Sequence, residues 1–132
     1  MLEKTTEAWL KKQIEKLGGY FLKWTSPGTD GVPDRILLLN GHVMFVEMKQ
    51  ADGRLSPRQS VMLKELARRG AMCHVVYGKE GAELFYGALA LMTARGGDPF
   101  IAWGYRIHNW KAKAQPDSST ETETKDEKGS VK

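Results

Sequence analysis

The stretch from residue 31 to residue 49 constrains the fold most, because its pattern predicts a complete β-hairpin. Residues 36–39 form an apolar run, and residues 42–49 form a second one. Between them stands Asn40-Gly41, the strongest short signal for a two-residue hairpin turn. The chain is therefore expected to contain two adjacent antiparallel strands, with both open ends of the hairpin at the same edge of a sheet.

Charged residues occupy the open end of this hairpin. Because side chains alternate along a strand, Glu47 and Lys49 share the face that carries Val43 and Phe45. Asp34 adds a second carboxylate where the first strand begins. Burying charge is costly unless it is paired or metal-bound, so the pattern favours a functional site. From these residues alone, a solvated hairpin end with a surface Glu–Lys pair stays open as the alternative.

The chemistry that suits these residues is metal-assisted hydrolysis of a phosphodiester. A hard cation such as Mg²⁺ takes one or two carboxylates and keeps several waters, and Asp34 and Glu47 supply two. Lys49 would hold the attacking water or stabilise the transition state as a point charge. Asp30 competes with Asp34 as a ligand, but Asp34 leads directly into the strand, whose rigidity fixes it.

Gly31-x-Pro33-Asp34, the hairpin and Glu47-x-Lys49 together resemble the PD-(D/E)xK nuclease superfamily. Within that superfamily the chain resembles the small VRR-NUC domain, over roughly residues 3–95. The resemblance implies a restriction-endonuclease-like α/β core and a DNA endonuclease that depends on Mg²⁺ or Mn²⁺. It also implies a homodimer that cuts branched DNA such as four-way junctions. A flap or restriction-type nuclease, and a catalytically inert DNA-binding module, are the rival interpretations.

Three further site residues follow once the family is named. Glu7 matches the first-helix glutamate that completes the family's metal site, although a first-turn carboxylate also serves the helix dipole. Glu3 is a weaker competitor, because it precedes Thr5 and Thr6, the candidate caps of a helix predicted over residues 5–17. The Met48 carbonyl is expected as an additional metal ligand.

The second helix is expected to begin at Ser56-Pro57 and to run to about Arg69. Gln59 lies on its core-facing side, where the family has a glutamine that orients the water or the scissile phosphate. Ser56-x-x-Gln59 is also a capping box, so a purely structural role for Gln59 is a serious alternative.

DNA contacts are expected from the loop before Asp34 and from the turn after the hairpin. Ser26 and Thr29 of the loop are candidates for meeting a phosphate, although a plain connector is equally compatible with the sequence. Arg54 and Arg58 flank the expected cleft and are the favoured basic contacts. Lys64, Arg68 and Arg69 are at least as compatible with a solvated helix face.

The remaining elements complete an α/β sandwich with a mixed sheet. A first strand is predicted over 20–25, a central strand over 71–77, and a last helix over 80–95. The stripe of that helix is expected to be Leu84, Ala88, Leu91 and Met92. Residues 100–110 are expected to be irregular or a short edge strand, whose aromatic residues serve packing or a subunit contact.

Composition sets the boundaries of the domain. The 132 residues are expected to form one nuclease domain over 1–110 and a disordered polar tail over 111–132. The net charge of +4 lies entirely in residues 1–110, since the tail has equal numbers of basic and acidic residues. The single cysteine, Cys73, excludes an internal disulfide, and no apolar stretch is long enough for a membrane span. A cytoplasmic protein of a bacterium or a phage-infected cell is expected.

Overall fold

The computed structural model describes residues 3–95, 103 and 106–113. In this part of the chain, helices and strands follow in the order expected from the sequence, and a short strand follows the last helix. The elements are α1 (Glu3–Lys16), β1 (Tyr20–Lys23), β2 (Arg35–Leu39), β3 (His42–Lys49), α2 (Pro57–Arg68), β4 (Met72–Tyr77), α3 (Gly78–Arg95) and β5 (Ile107–Trp110).

The five strands form a single mixed sheet in the order β1-β2-β3-β4-β5. β2 is antiparallel to both of its neighbours, β1 and β3, whereas β3, β4 and β5 run parallel. The parallel step from β3 to β4 is made through α2, as a βαβ crossover requires. The predicted α/β fold with a mixed central sheet is therefore confirmed.

The hairpin turn forms where the sequence places it. Asn40 has φ +53° and Gly41 has φ +83°. Two successive positive φ values define the type I′ geometry, whose twist matches that of the flanking strands. This turn fixes the pairing of β2 with β3, and the register brings Arg35 opposite Val46 at the open end.

Helices cover the two faces of the sheet unequally. On one face, α1 and α3 pack over buried side chains such as Phe21, Leu37 and Met44. On the other face, Leu63 of α2 packs with Cys73 and Val75 of β4. Cys73 is buried, and burial raises the pKa of its thiol to about 11, which agrees with the predicted core role.

Two predictions about helices are corrected. α1 begins at Glu3, so Thr5 and Thr6 lie inside the helix instead of capping it, and Thr6 is buried. In α3 the buried residues are Gly81, Ala82, Phe85 and Leu89, whereas Leu84 and Leu91 are exposed. Met92 of the predicted stripe does pack against the core. The prediction was wrong for Leu84 and Leu91, because α3 has apolar residues on several sides and periodicity alone did not choose among them.

Close packing against β5 explains why α3 has a glycine in its interior, at Gly81. A Cβ at this position would collide with the carbonyl oxygen of Trp110 in β5. The glycine therefore lets α3 approach the edge strand closely, and a larger residue would push the two elements apart. The short edge strand expected within 100–110 is confirmed as β5.

The aromatic residues near β5 surround a buried histidine. The ring nitrogen Nε1 of Trp110 donates to Nδ1 of His74 at 3.0 Å, and Nε2 of His74 lies 3.3 Å from the sulfur of Met44. Trp103 and Phe85 also pack against the His74 ring. Burial lowers the pKa of His74 to about 3, so the imidazole is neutral. For Trp103 and Trp110, core packing is the role that the structure shows.

Some predictions fall on residues outside the described part of the chain. These are the prediction of a disordered tail, from residue 114 onward, and the prediction of an irregular segment or edge strand at residues 100–102, 104 and 105. None of the helices in the described part has the length and apolarity that a membrane crossing needs.

Candidate active site

Asp34 and Glu47 are neighbours across the open end of the hairpin, one step beyond the last pair of the ladder. The backbone N–H of Asp34 donates to Oε1 of Glu47 at 3.2 Å. In return, the backbone N–H of Met48 donates to Oδ1 of Asp34 at 3.2 Å. On the other side of Asp34, its carbonyl accepts the N–H of Trp24 at 2.9 Å. The two carboxylates are thus held by backbone groups on rigid strands.

The two acids sit in a desolvated position. Glu47 is only 5% exposed, and Asp34 is half-buried. Burial raises the pKa of Asp34 to about 6, against the opposing effect of the Met48 N–H. The charge of Glu7 raises this pKa further and that of Arg35 lowers it. A bound cation would favour the ionised form of both acids, so the site suits a positive ligand.

Gln59 joins α2 to this pair. Its side-chain nitrogen Nε2 donates to Oε2 of Glu47 at 3.0 Å. Its side-chain oxygen accepts the N–H of Ser56 at 2.9 Å, and Oγ of Ser56 accepts the N–H of Gln59 at 3.1 Å. The predicted capping box is therefore present. Gln59 therefore has both roles. Its side-chain oxygen caps α2 through Ser56, and its side-chain nitrogen contacts Glu47 in the site.

Lys49 lies on the same face of β3, two residues beyond Glu47. Its Nζ is 3.7 Å from Oε2 of Glu47, and its side chain is 20% exposed. The ammonium group therefore lies beside Glu47 and is partly open to solvent. The interpretation of Glu47 and Lys49 as a solvated surface pair does not fit a glutamate that is almost fully buried.

Glu7 contacts Arg35, whereas the family resemblance implied that it would complete a metal site. Its Oε2 accepts the Nε–H of Arg35 at 2.9 Å, and both side chains are largely buried, at 16% and 14% exposed. Arg35 also stacks over the ring of Phe21 at 5.2 Å. Glu7 therefore sits against Arg35 and influences Asp34 by charge. The side chain of the competing Glu3 lies outside the described residues.

The loop before Asp34 abuts the start of α2. Gly31 has φ +85°, and a Cβ there would lie 2.7 Å from the carbonyl oxygen of Arg58. Within this loop the N–H of Thr29 donates to the carbonyl of Ser26 at 3.1 Å, which closes a turn. The glycine thus permits the loop and the helix to touch beside the carboxylates.

The basic residues named from the sequence divide into two groups. Arg54 and Arg58 are exposed, in the turn after β3 and in the first turn of α2. Arg68 and Arg69 instead form ion pairs with Glu65 on α2, which agrees with the solvated-face interpretation. Arg54 and Arg58 remain the candidates for contact with DNA.

The donor set fits a hard divalent cation. Within the described ranges, no three His, Cys, Asp or Glu side chains cluster as metal ligands. Mg²⁺ needs fewer protein ligands, since it keeps several waters. Asp34 and Glu47 offer two oxygen-bearing carboxylates whose backbone contacts hold them together.

Sequence reasoning missed the role of Arg35 and Trp24. The sequence pattern gave Arg35 no role in the site, yet Arg35 bonds Glu7, and its charge lowers the pKa of Asp34. Its position was a usable signal, because it follows Asp34 and therefore points to the opposite face, toward α1. Trp24 packs on Phe45, with ring centroids 5.1 Å apart, beside the carboxylates.

Comparison with known proteins agrees with this arrangement. The sequence profile of the VRR-NUC domain matches residues 2–80, which include every residue of the site. The chain belongs to the VRR-NUC domain family. It is 39% identical over 83 residues to "Putative nuclease p44" of Acyrthosiphon pisum secondary endosymbiont phage 1. That match covers 62% of this chain and 86% of the phage protein.

A solved structure described as a VRR-NUC domain has the same fold. The superposition has a TM-score of 0.57 at 29% sequence identity, and it covers 61% of this chain and 89% of the solved one. Family membership therefore assigns this VRR-NUC protein to the nucleases and confirms the expected restriction-endonuclease-like α/β core. The matched profile ends near the start of α3, so most of α3 and β5 lie beyond it.

Proposed function

We propose that this VRR-NUC protein is a metal-dependent DNA endonuclease that acts as a homodimer on branched DNA. The observation that carries the nuclease mechanism is the reciprocal backbone bonding of Asp34 and Glu47, with Gln59 and Lys49 on the second carboxylate. A buried and a half-buried acid side by side are costly in a protein that only binds DNA. The same two acids are useful in a nuclease, where a bound cation neutralises their charge.

Asp34 and Glu47 would hold the cation, Mg²⁺ or Mn²⁺, by their carboxylates. The N–H of Met48 points at Asp34. In an antiparallel strand the N–H and the C=O of one residue point to the same neighbour. The Met48 carbonyl is therefore directed toward the same side and is the proposed third protein ligand. When bound, the metal would offset the charge of the phosphate and lower the pKa of a water.

Lys49 and Gln59 act on the attacking water. The Lys49 ammonium would donate to the water or to a phosphate oxygen and stabilise the charge that develops as water attacks phosphorus. Gln59 donates to Oε2 of Glu47 and so would fix the carboxylate oxygen that accepts a proton from the attacking water. As the new P–O bond forms, the bond to the leaving oxygen breaks, and that oxygen takes a proton from solvent.

The Glu7 carboxylate would affect catalysis through its charge, which acts on Asp34. Its bond to Arg35 keeps a negative charge near Asp34 while the guanidinium balances it. Glu7 therefore adjusts the charge of the site, either from its place against Arg35 or through a water. The phosphates that flank the cut would meet Ser26, Thr29, Arg54 and Arg58, which surround the open end of the hairpin.

The branched-DNA substrate follows from the family resemblance and from symmetry. Two symmetric cuts need two symmetrically related sites, which a twofold dimer supplies. A cleavage panel tests the proposal: linear duplex, single strand, 5′ flap and four-way junction, each with Mg²⁺, Mn²⁺ or chelator. Symmetric junction cuts that disappear with chelator and in Lys49→Ala are the expected result.

Other outcomes of the panel separate the rival interpretations. Metal-dependent cutting of flaps or linear duplex, with junctions spared, would retain the active site and replace the substrate. Salt-sensitive binding without cutting in any metal would identify an inert DNA-binding module and would overturn the mechanism.

A further inference from the structure

The sheet is open on one face beside the catalytic carboxylates. α1 and α3 pack on the opposite face, and on this face α2 packs on β4 and β5. Side chains of β1 that point away from α1 are therefore accessible, with Tyr20 63% and Leu22 46% exposed. An aromatic side chain on this part of the sheet can thus be reached from solvent.

Trp24 is such a side chain, and it stands in the row of the catalytic acids. The register of β1 with β2 pairs Leu22 with Ile36, so Trp24 meets Asp34 two residues further along. The backbone N–H of Trp24 donates to the carbonyl of Asp34 at 2.9 Å. Because side chains alternate along a strand, the Trp24 indole is on the same face as the carboxylates of Asp34 and Glu47.

The indole of Trp24 reaches across β2. Its ring centroid is 5.1 Å from that of Phe45 in β3, although β2 lies between β1 and β3. Neighbouring strands are about 4.8 Å apart, so the two rings meet above β2. They meet between Asp34 and Ile36, the β2 partners of Trp24 and Phe45. Trp24 is half-buried, so it stays partly accessible next to the Asp34 carboxylate.

Trp24 differs from the other tryptophans in its packing. Three of the four, Trp9, Trp103 and Trp110, pack against the main buried core. Among the described residues, Trp24 has Phe45 as its aromatic partner and belongs to neither buried cluster. A large apolar ring that is kept partly open beside catalytic carboxylates is suited to contact with a substrate.

We propose that Trp24 is a stacking platform for the base of an unpaired DNA nucleotide next to the scissile phosphate. This inference rests on the proposed nuclease function and names a feature of its substrate. A phosphate held at Asp34 and Glu47 brings its adjacent nucleosides close to the Trp24 ring. Every base has a π-face, so stacking on an indole requires no particular sequence.

An unpaired nucleotide is the ligand that fits this position. In a duplex each base is stacked between its neighbours, so its face meets a ring on the protein only after it has been unstacked. The cost of unstacking is smallest where the base is already unpaired, as at a branch point, a flap or a single strand. Trp24 therefore supplies a physical reason for a branched substrate that is independent of the family resemblance.

The experiment compares the binding of two single-stranded DNA oligomers of equal length, oligothymidylate and a fully abasic oligomer. Both carry the same phosphates, so the ratio of their affinities reports the bases and not the charge. Fluorescence anisotropy of end-labelled DNA in chelator measures binding without cleavage. The variants are Trp24→Ala and Trp24→Phe. Trp9→Phe is the matched control, because Trp9 is also half-buried but packs on Tyr86.

We expect the wild type to bind oligothymidylate about 5–150-fold more tightly than the abasic oligomer, the range that one stacked base gives. Trp24→Ala should reduce this ratio toward one, Trp24→Phe should retain part of it, and Trp9→Phe should retain all of it. A ratio near one in the wild type would overturn the proposal. Equal weakening of both oligomers in Trp24→Ala would assign the indole to the DNA backbone and would overturn it as well.

Tryptophan fluorescence gives an independent readout, which also decides the case if Trp24→Ala does not fold. A thymine stacked on an indole quenches its emission, so saturating oligothymidylate should quench the wild type and Trp9→Phe. Trp24→Phe should show little quenching, because its three remaining tryptophans pack against the core. Quenching of equal size in Trp24→Phe would contradict the proposal.

The platform and the nuclease mechanism fail in distinguishable ways. Base-dependent binding in chelator, with no cleavage in any metal, would refute the nuclease proposal and leave the platform intact. Metal-dependent cleavage with equal binding of the two oligomers would refute the platform alone. With Mg²⁺, a duplex that contains one unpaired thymine should be cut beside that thymine. Trp24→Ala should lose the preference for that position, whereas Lys49→Ala should lose the cutting itself.

Discussion

The side-chain amide of Gln59 donates to Oε2 of Glu47 at 3.0 Å while its oxygen caps α2 through the N–H of Ser56. One residue therefore ties the start of a helix to a buried carboxylate. Because the helix start is fixed by its capping box, the Gln59 nitrogen is fixed relative to Glu47. Rigid support of this kind is what a catalytic carboxylate needs.

Gln59→Glu should separate the two roles of this side chain. The new carboxylate still accepts the N–H of Ser56, but it no longer donates to Glu47 and places a like charge beside it. We expect cleavage to fall by about 10–100-fold, the usual effect of changing a residue that orients a metal ligand. Ser56→Ala is the control: it should cost about 1 kcal/mol of stability and leave cleavage nearly intact. Equal loss of cleavage in both would mean that Gln59 acts only as a cap.

Lys49→Ala should reduce the cleavage rate without weakening DNA binding comparably. Its ammonium lies 3.7 Å from Glu47 and is partly open to solvent, and removal of a group that stabilises transition-state charge costs about 10²–10³-fold in kcat. Single-turnover cleavage at saturating protein measures this. Lys64→Ala, an exposed lysine on α2, serves as the control. Full activity of Lys49→Ala would remove Lys49 from the mechanism.

Asp34→Asn should stabilise the metal-free protein while it abolishes cleavage. The folded-state pKa of Asp34 is raised to about 6 from its ordinary 3.8, chiefly by burial. The charged form is therefore disfavoured by the fold, and stability from this group is present below about pH 4 and is lost as the pH rises through 6. Allowing for partial exposure, the gain at pH 7 should be roughly 1 kcal/mol.

Thermal unfolding with chelator, at pH 5 and pH 7, tests the effect of Asp34→Asn. Added Mg²⁺ should raise the melting temperature of the wild type and leave that of Asp34→Asn unchanged, because a ligand stabilises only the state that binds it. Asp52→Asn, an exposed acid in the turn after β3, is the matched control. A variant that still gains stability from Mg²⁺ would show that Asp34 is not a metal ligand.

Glu7→Gln and Arg35→Gln should move the pH dependence of cleavage in opposite directions. The charge of Glu7 raises the pKa of Asp34 and the charge of Arg35 lowers it. We therefore expect the acidic limb of the pH–rate profile to shift to lower pH in Glu7→Gln and to higher pH in Arg35→Gln. Titration calorimetry with Mg²⁺ adds a second readout. A large loss of metal affinity in Glu7→Gln, with no shift of the limb, would instead identify Glu7 as a direct ligand.

His74 should make the fold sensitive to acid. Burial lowers its pKa to about 3 in the folded state, whereas the unfolded chain titrates near 6.5. Stability is therefore lost as the pH falls below 6.5, by up to about 1.4 kcal/mol per pH unit from this group. Urea unfolding at pH 7 and pH 5 measures the loss.

His74→Gln should weaken that acid sensitivity, since its amide oxygen can still accept from Trp110 and the side chain does not ionise. His42→Gln, in the hairpin and outside the core, is the comparison. Because Asp34 contributes with the opposite sign over the same interval, the difference between the wild type and His74→Gln isolates the histidine. An identical pH dependence in both proteins would contradict this account.

Much of the site could be located from the sequence because its residues stand on regular elements. Asn40-Gly41 fixed the turn, and period-two alternation placed Glu47 and Lys49 on one face. Ser56-Pro57 marked the start of α2, so Gln59 was placed within its first turn. These are local signals, in which backbone geometry follows directly from residue type, and they were confirmed at Asn40, Gly41, Ser56 and Gln59.

Tertiary structure decided the contacts that join distant elements. Local pattern gave no reason for Glu7 to pair with Arg35, 28 positions away, or for α3 to bury Phe85 and Leu89 and expose Leu91. It also left open which part of the sheet α2 would cover. These outcomes depend on how the helices pack, because packing selects among faces that are similarly apolar. The sequence by itself therefore determined the hairpin and its acids, and only the packed fold decided the surroundings of the acids and the face left open beside them.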